Sequence, residues 1–98
     1  MPYEPVDAHE WEAWVADTDA VVLDCREPAE WAAGTLPGST LVSMNDVPEA
    51  IHAFEPSRPV LAVCRTGRRS AAVAAFLRAN GFDRVGNLEG GLAALGLA

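Results

Sequence analysis

Short runs of apolar, β-branched residues alternate with segments of helical periodicity, and this alternation limits the fold more than any other feature of the chain. The strand-like runs are AVVLDC, residues 40–43, RPVLAVC and residues 85–87. The run RPVLAVC lacks polar alternation, which is typical of a parallel strand covered on both faces. Strands that alternate with helices predict an open α/β sheet, in which ligands bind outside the carboxyl ends of the strands.

The segments between these runs carry helix start and stop signals. The predicted helices are VDAHEWEAWVAD, EPAEWAAG, DVPEAIHAF, SAAVAAFLRANGF and a terminal turn after the Gly90-Gly91 pair. Asp7 stands three residues before Glu10, a capping-box pattern, and Asp46 is the expected N-cap of the third helix. Gly81 lies where a left-handed residue commonly ends a helix. Gly90 and Gly91 are predicted to allow close backbone approach rather than to bind phosphate.

Length and charge exclude several classes of function. The chain has 98 residues and is interpreted as one domain over residues 1–98, with no metal site expected. Its net charge of −7 argues against nucleic acid as a partner. All seven basic residues are arginine, which excludes a Schiff-base or Walker lysine. The first residues show neither a basic start nor an apolar stretch, and no apolar run reaches membrane length, so we expect no leader segment and no membrane and predict the cytoplasm.

The segment CRTGRRS is the candidate site, because it places a thiol and three arginines directly after a predicted buried strand. Gly67 permits a positive φ, so the amides of this turn can point inward and form an anion-binding nest. A helix is predicted from about Ser70, whose hydroxyl is a candidate cap. An ordinary thiol has a pKa of about 8.5, which a helix start and nearby arginines lower. Cys64 is therefore predicted to be a thiolate nucleophile rather than an inert core cysteine.

A second strand end contributes a carboxylate and a further guanidinium. Asp24 and Arg26 follow the run AVVL, and they meet Cys64 if the two strands are neighbours. Both are candidates for supporting the site, with a purely architectural role as the alternative. Cys25 should point to the opposite face of the sheet from Asp24, and we interpret it as a core residue rather than a resolving thiol.

Three segments together resemble the single-domain form of the rhodanese family. VVLDCREPAEWAAGTLPGS resembles the family's Asp-x-Arg segment with its Gly-x-x-Pro-Gly turn, CRTGRRS its active-site loop, and NLEGGLAAL its closing Leu-x-Gly-Gly segment. The resemblance covers nearly the whole chain and keeps the family's order. Thr35 stands where the family commonly has His, which predicts a change in local packing or the loss of a hydrogen bond. Leu95 stands where the family commonly has Trp, which predicts a less firmly anchored carboxyl-terminal helix.

The resemblance implies a three-layer α/β/α fold around a mostly parallel five-stranded sheet, and sulfur transfer through a persulfide on Cys64. The implied donor is thiosulfate or a cellular persulfide, the acceptor is cyanide or a thiol, and a sulfur-relay protein is a further candidate partner. No cofactor is expected. Substrate binding is predicted for the remaining residues of the loop: Arg65, Thr66, Gly67, Arg68, Arg69 and Ser70.

Other interpretations stay open from the residues. Arg69 either binds the substrate anion or braces the loop by pairing with Asp24, and we favour bracing. A cysteine-based oxyanion enzyme, either a phosphatase or an arsenate reductase, uses a similar loop, and a non-catalytic interaction module would keep the fold without turnover. Four residues separate Cys64 from Arg69, and Ser70 occupies the place of the arginine in a C-x5-R phosphatase. The shorter loop therefore favours sulfur over a tetrahedral oxyanion.

Overall fold

The computed structural model describes residues 2–98, which contain a sheet of five strands. In chain order the strands are β1 Glu4–Val6, β2 Val21–Asp24, β3 Thr40–Leu41, β4 Val60–Val63 and β5 Val85–Leu88. Their order across the sheet is β1-β5-β4-β2-β3, and every pairing is parallel. The predicted open α/β sheet is confirmed, and it is parallel throughout rather than mostly parallel.

Helices cover both faces of this sheet. They are α1 Trp11–Thr18, α2 Pro28–Trp31, α3 Val47–Ala50, α4 Arg68–Ala79 and α5 Gly91–Ala94, with 3-10 turns at Met44–Asp46 and Ile51–Ala53. On one face, α3 and α4 pack against a core that includes Leu23, Ala62 and Leu77. On the other face, α1 and α5 pack against a core that includes Leu61 and Val63. The expected three-layer α/β/α arrangement is confirmed.

Strand β4 lies in the middle of the sheet and explains why its sequence shows no polar alternation. All four of its residues are buried, and they alternate between the two cores. Asp24 at the end of β2 pairs with Val63 at the end of β4, so the polar segments that follow the two strands meet at one edge. This register brings the segment after Asp24 and the loop after Cys64 together.

No helix among residues 2–98 has the length and apolarity needed to cross a membrane.

The amino-terminal segment differs from the prediction. Residues 4–6 form β1, which the sequence did not indicate, since Pro5 lies within it. Proline is tolerated there because β1 is an edge strand, paired only with β5. Helix α1 begins at Trp11 rather than at Asp7. The Asp7 carboxylate instead accepts the His9 N–H at 2.7 Å, in a turn that precedes the helix.

Other predicted boundaries shift by a few residues. Strand β3 covers Thr40–Leu41 rather than residues 40–43. Asp46 precedes α3 but makes no side-chain capping hydrogen bond, and it ends a 3-10 turn. Gly81 has a φ of +91° just beyond α4, as predicted. Helix α4 begins at Arg68, two residues earlier than expected, because Gly67 takes the N-cap position.

Candidate functional site

Cys64 follows β4 directly, and its sulfur is enclosed by the loop that leads into α4. The residue is 1% exposed. Its Sγ accepts the Gly67 N–H at 3.1 Å, the Ser70 N–H at 3.3 Å and the Ser70 hydroxyl at 3.3 Å. Donors of this kind stabilise an anionic sulfur more than a neutral one. The loop therefore offers several hydrogen-bond donors that suit an anionic sulfur at this position.

The conformation of Gly67 makes this arrangement possible. Its φ is +92°, as predicted, and a left-handed residue at this point turns the chain into α4 with its amides facing the sulfur. Ser70 is not the cap that the sequence suggested. It lies in the first turn of α4, fully buried, and its hydroxyl hydrogen-bonds to the cysteine instead. The first turn of the helix thus contributes both a backbone and a side-chain donor.

Two opposing effects act on the pKa of Cys64. Burial is the largest single cause, and it raises the pKa of the Cys64 thiol. The Ser70 hydroxyl and the N–H groups of Ser70, Thr66 and Gly67 lower it, and their combined effect leaves the pKa below its ordinary value. The lowering therefore comes mainly from short-range hydrogen bonds rather than from the loop arginines. Cys64 has the electrostatic environment of a nucleophile.

Asp24 and Arg26 form a buried ion pair beside the site. The Arg26 guanidinium donates to both carboxylate oxygens of Asp24, with Nη2–Oδ2 at 2.8 Å and Nε–Oδ1 at 3.0 Å. Its Nη2 also donates to the Gly34 carbonyl at 2.7 Å, and its Nη1 to the Glu30 carbonyl at 3.4 Å. The pair joins the end of β2 to α2 through the Glu30 carbonyl, and to the turn after α2 through the Gly34 carbonyl.

Arg69 pairs with Glu30 and not with Asp24, so the Asp24 bracing prediction is wrong. Its two terminal nitrogens bind the two carboxylate oxygens of Glu30 at 2.7 and 2.9 Å. Asp24 is unavailable because both of its oxygens already accept hydrogen bonds from Arg26. The ion pair with Arg69 is the largest cause that lowers the pKa of Glu30, to about 2. The ion pair thus joins Arg69 to α2 rather than to the end of β2.

The other loop residues face solvent. Arg65, Thr66 and Arg68 are exposed. Within residues 2–98, neither the Arg65 nor the Arg68 guanidinium has a carboxylate partner. The positive charges of Arg65 and Arg68 are therefore not paired with a carboxylate among residues 2–98, whereas that of Arg69 is paired with Glu30.

The segment that contains β5 and α5 packs against the loop and hydrogen-bonds to its backbone. The Leu92 N–H donates to the Cys64 carbonyl and the Ala93 N–H to the Arg65 carbonyl, both at 2.9 Å. A Cβ on Gly91 would lie 2.5 Å from the Cys64 carbonyl oxygen, which confirms the close approach predicted for this glycine. Asn87, buried in β5 one residue before the strand ends, donates to the Gly67 carbonyl at 3.2 Å.

Glu30 and Asn87 are the residues near the site that sequence reasoning missed. Glu30 had a local signal, since it lies three residues after Glu27 and accepts the Glu27 N–H at 3.0 Å in a capping box. Asn87 is a lone polar residue in an apolar run that ends beside the central strand. Polar residues at such positions in parallel sheets commonly face the ligand edge.

Cys25 lies in the core, as predicted. It is fully buried, and its Sγ–H donates to the Val63 carbonyl at 3.4 Å. Burial, followed by the negative charges of Cys64 and Asp24, raises the pKa of Cys25 to about 12. The two thiols of the chain are thus in opposite electrostatic situations. The two cysteines are not joined by a disulfide in this structure.

The two departures from the resembled pattern, Thr35 and Leu95, differ in their burial. Thr35 is exposed and precedes the buried Leu36. Leu95 is half-buried and packs against the core beneath α1 and α5, so the carboxyl-terminal segment is anchored by an aliphatic contact.

Comparison with known proteins gives a consistent result. The family model described as "Rhodanese-like domain" matches residues 7–97. The chain is 37% identical over 90 residues to a "Sulfurtransferase" of Allochromatium vinosum, with 91% of this chain and 84% of the relative covered. It is 38% identical over 72 residues to "Thiosulfate sulfurtransferase GlpE" of Pseudomonas entomophila, covering 74% and 66%. Among solved structures, a rhodanese-like domain protein of Staphylococcus aureus superposes with a TM-score of 0.84 at 29% identity, covering 93% and 89%.

Proposed function

This chain belongs to the rhodanese-like domain family, and on that basis we propose that it is a sulfurtransferase that carries sulfane sulfur on Cys64. The observation that carries the proposal is the set of donors around Sγ, from Gly67 N–H, Ser70 N–H and the Ser70 hydroxyl. A persulfide is also an anion that needs several donors, so the loop suits both states of the cycle.

The first half-reaction loads the cysteine. The Cys64 thiolate attacks the outer sulfur of thiosulfate, a bond forms between the two sulfurs, and the sulfur–sulfur bond of thiosulfate breaks with sulfite as the leaving group. A persulfide donor reacts in the same way and leaves as its thiolate. Exposed Arg65 and Arg68 attract an anionic donor to the loop and help to hold its sulfonate, because neither guanidinium has a carboxylate partner within residues 2–98.

The second half-reaction discharges the cysteine. Cyanide or an acceptor thiolate attacks the outer sulfur, and Cys64 leaves as a thiolate. The hydrogen bonds that lower the pKa of Cys64 make it a better leaving group at this step. The acceptor in the cell is a thiol, either small or on a sulfur-relay protein. Both cysteines are unpaired, which fits a reducing compartment such as the cytoplasm.

An oxyanion enzyme is the second candidate, and the position of Arg69 disfavours it. A phosphatase needs its loop arginine to bind the equatorial oxygens of the substrate. Arg69 follows Cys64 after four residues rather than five, and both of its terminal nitrogens bind Glu30. The guanidinium that would stabilise the oxyanion is thus neutralised by a carboxylate of the same chain.

The test measures sulfur on the protein and sulfur transferred. We expect thiocyanate from thiosulfate and cyanide, together with a reducible gain of one sulfur on the Cys64 peptide in mass spectrometry. Cys64→Ser should abolish both, and Cys25→Ser is the matched control that should keep both. The sulfurtransferase proposal would be wrong if the wild-type protein hydrolysed an aryl phosphate through Cys64, yet formed no persulfide from thiosulfate or from small persulfides.

A further inference from the structure

The two cysteines of the chain stand opposite each other on neighbouring strands. Asp24 pairs with Val63 in the parallel register of β2 and β4, and the next position of that register is Cys25 beside Cys64. The pairing continues to this point, because the Cys25 N–H donates to the Val63 carbonyl at 2.9 Å. Residues opposite each other in a sheet direct their side chains to the same face. Both thiols accordingly lie in the core beneath α3 and α4.

The separation of such a pair suits a covalent bond. Neighbouring strands lie about 4.8 Å apart, and a disulfide takes Cα–Cα separations of roughly 4.4–6.8 Å. Cys25 is 0% exposed and lies in the same core cluster as Cys64, so the sulfur best placed to react with Cys25 is that of Cys64. The chain has two cysteines in all, which leaves one possible intramolecular disulfide.

We propose that Cys25, although it lies in the core, is the resolving thiol of Cys64, contrary to its interpretation from sequence, and that oxidation of Cys64 by a small hydroperoxide ends in a reversible Cys25–Cys64 disulfide. The disulfide requires only that Cys64 be an accessible thiolate for a small oxidant. Its regulatory consequence rests on the proposed function, since the bond withdraws the sulfur that would carry the persulfide. The device would switch sulfur transfer off under oxidising conditions and protect Cys64 from irreversible oxidation.

The chemistry balances in two steps. The Cys64 thiolate attacks the outer oxygen of the hydroperoxide and the oxygen–oxygen bond breaks. Cys64 becomes a sulfenic acid, and the leaving hydroxide or alkoxide takes a proton from solvent to give water or an alcohol. The Cys25 sulfur then attacks the sulfenic sulfur, the sulfur–oxygen bond breaks, and water leaves with the proton of Cys25. A dithiol reductant later returns two electrons by thiol–disulfide exchange and restores both thiols.

The electrostatics of the pair favour this order of events. Burial, and after it the negative charges of Cys64 and Asp24, keep Cys25 protonated and unreactive while Cys64 is a thiolate. Formation of a neutral sulfenic acid removes the Cys64 charge, so one of the causes that suppress Cys25 disappears when a resolving thiol is needed. Cys25 thus stays protonated and unreactive during sulfur transfer, and it becomes a better nucleophile once Cys64 has been oxidised.

The experiment titrates the full chain with hydrogen peroxide and maps its cysteine peptides without reduction. For the wild type we expect a Cys25–Cys64 linked peptide that is lighter by two hydrogens than its components, loss of thiocyanate formation, and recovery of most of that activity with dithiothreitol. Cys25→Ser should keep its initial activity but pass to sulfinic acid at Cys64, so that dithiothreitol restores little. Cys25→Ala serves as a second variant, and thermal unfolding identifies either variant that has lost its fold.

The possible outcomes separate this inference from the proposed function. Conversion of wild-type Cys64 to sulfinic acid at the same rate as in the variants, an intermolecular disulfide, or no oxidation at all would each overturn the resolving role. A linked peptide in a protein that forms no persulfide from any donor would uphold the disulfide while rejecting sulfur transfer. Persulfide loading measured on the same untreated samples decides between the two.

Discussion

The Arg69 guanidinium and the Glu30 carboxylate form a two-armed ion pair that ties the first turn of α4 to α2, with nitrogen–oxygen distances of 2.7 and 2.9 Å. The side chains are 35% and 27% exposed, so solvent screens the attraction in part. Glu30 also accepts the Glu27 N–H, which holds its carboxylate in place for the arginine. The pair therefore fixes the far end of the loop that surrounds Cys64.

Removing either partner should loosen the loop. We expect Arg69→Ala and Glu30→Gln each to lower the free energy of unfolding by about 0.5–1 kcal/mol, and the double variant to lose less than the sum. Denaturant unfolding of the four proteins measures the coupling. Arg65→Ala is the control, because its exposed guanidinium has no carboxylate partner within residues 2–98. It should leave stability nearly unchanged and mainly raise KM for an anionic donor. Equal stability of Arg69→Ala and Arg65→Ala would remove the bracing role.

The same pair predicts a dependence of stability on pH. The pKa of Glu30 is lowered to about 2 in the folded protein, against about 4.3 in an unfolded chain. A depressed folded pKa means that the contribution is fully present above the unfolded value and is lost as the pH falls toward the folded value. The stability difference between wild type and Glu30→Gln should therefore shrink between about pH 5 and pH 2. A difference that stays constant over this range in denaturant unfolding would show that the ion pair contributes nothing.

The hydrogen bonds to Sγ predict an acidic thiol at Cys64. Its alkylation by a small reagent such as iodoacetamide, followed against pH, should show titration below the ordinary range of a thiol. Ser70→Ala removes the hydroxyl donor and should move the apparent pKa upward, whereas Ser39→Ala, whose hydroxyl binds the Leu36 carbonyl at 2.7 Å, should not move it. Cys25 is the internal reference and should stay unreactive. Identical titration of the two cysteines would contradict the prediction.

Close packing of Gly91 against the loop backbone predicts a large loss of stability when this glycine is replaced. A Cβ there would meet the backbone of Cys64 and Arg65 at 2.5 Å, while Gly96 has open space around its Cβ position. Both glycines have a positive φ, so alanine at either position carries a strain of roughly 1–2 kcal/mol. Gly91→Ala should destabilise by roughly 1–3 kcal/mol more than Gly96→Ala, and should also lower sulfur transfer. Thermal unfolding and thiocyanate formation measure the two effects, and similar values for both variants would argue against tight support of the loop.

The sequence by itself determined the local features of this protein. Strand-like runs that alternate with helical segments predicted the α/β sheet, and the short run before Cys64 predicted its central strand. Gly67 and Gly81 marked positive φ angles because only glycine adopts them without strain. The sequence also predicted the nucleophilic cysteine, the inward-facing amides of its loop and the close backbone approach of the glycine pair. Each of these predictions rests on residues that are near neighbours in the chain or on the resemblance to the family.

Tertiary structure alone decided which distant groups meet. Two carboxylates, Asp24 and Glu30, were candidates for the ion pair with Arg69. Arg26 binds both oxygens of Asp24, and the packing of α2 places Glu30 against Arg69. Strand β1 formed despite Pro5 because the edge of β5 offered hydrogen bonds that no local pattern records. The register of β2 and β4 placed Cys25 beside Cys64. Propensity and turn chemistry act over a few residues, whereas ion pairing, edge pairing and register depend on how separate elements pack.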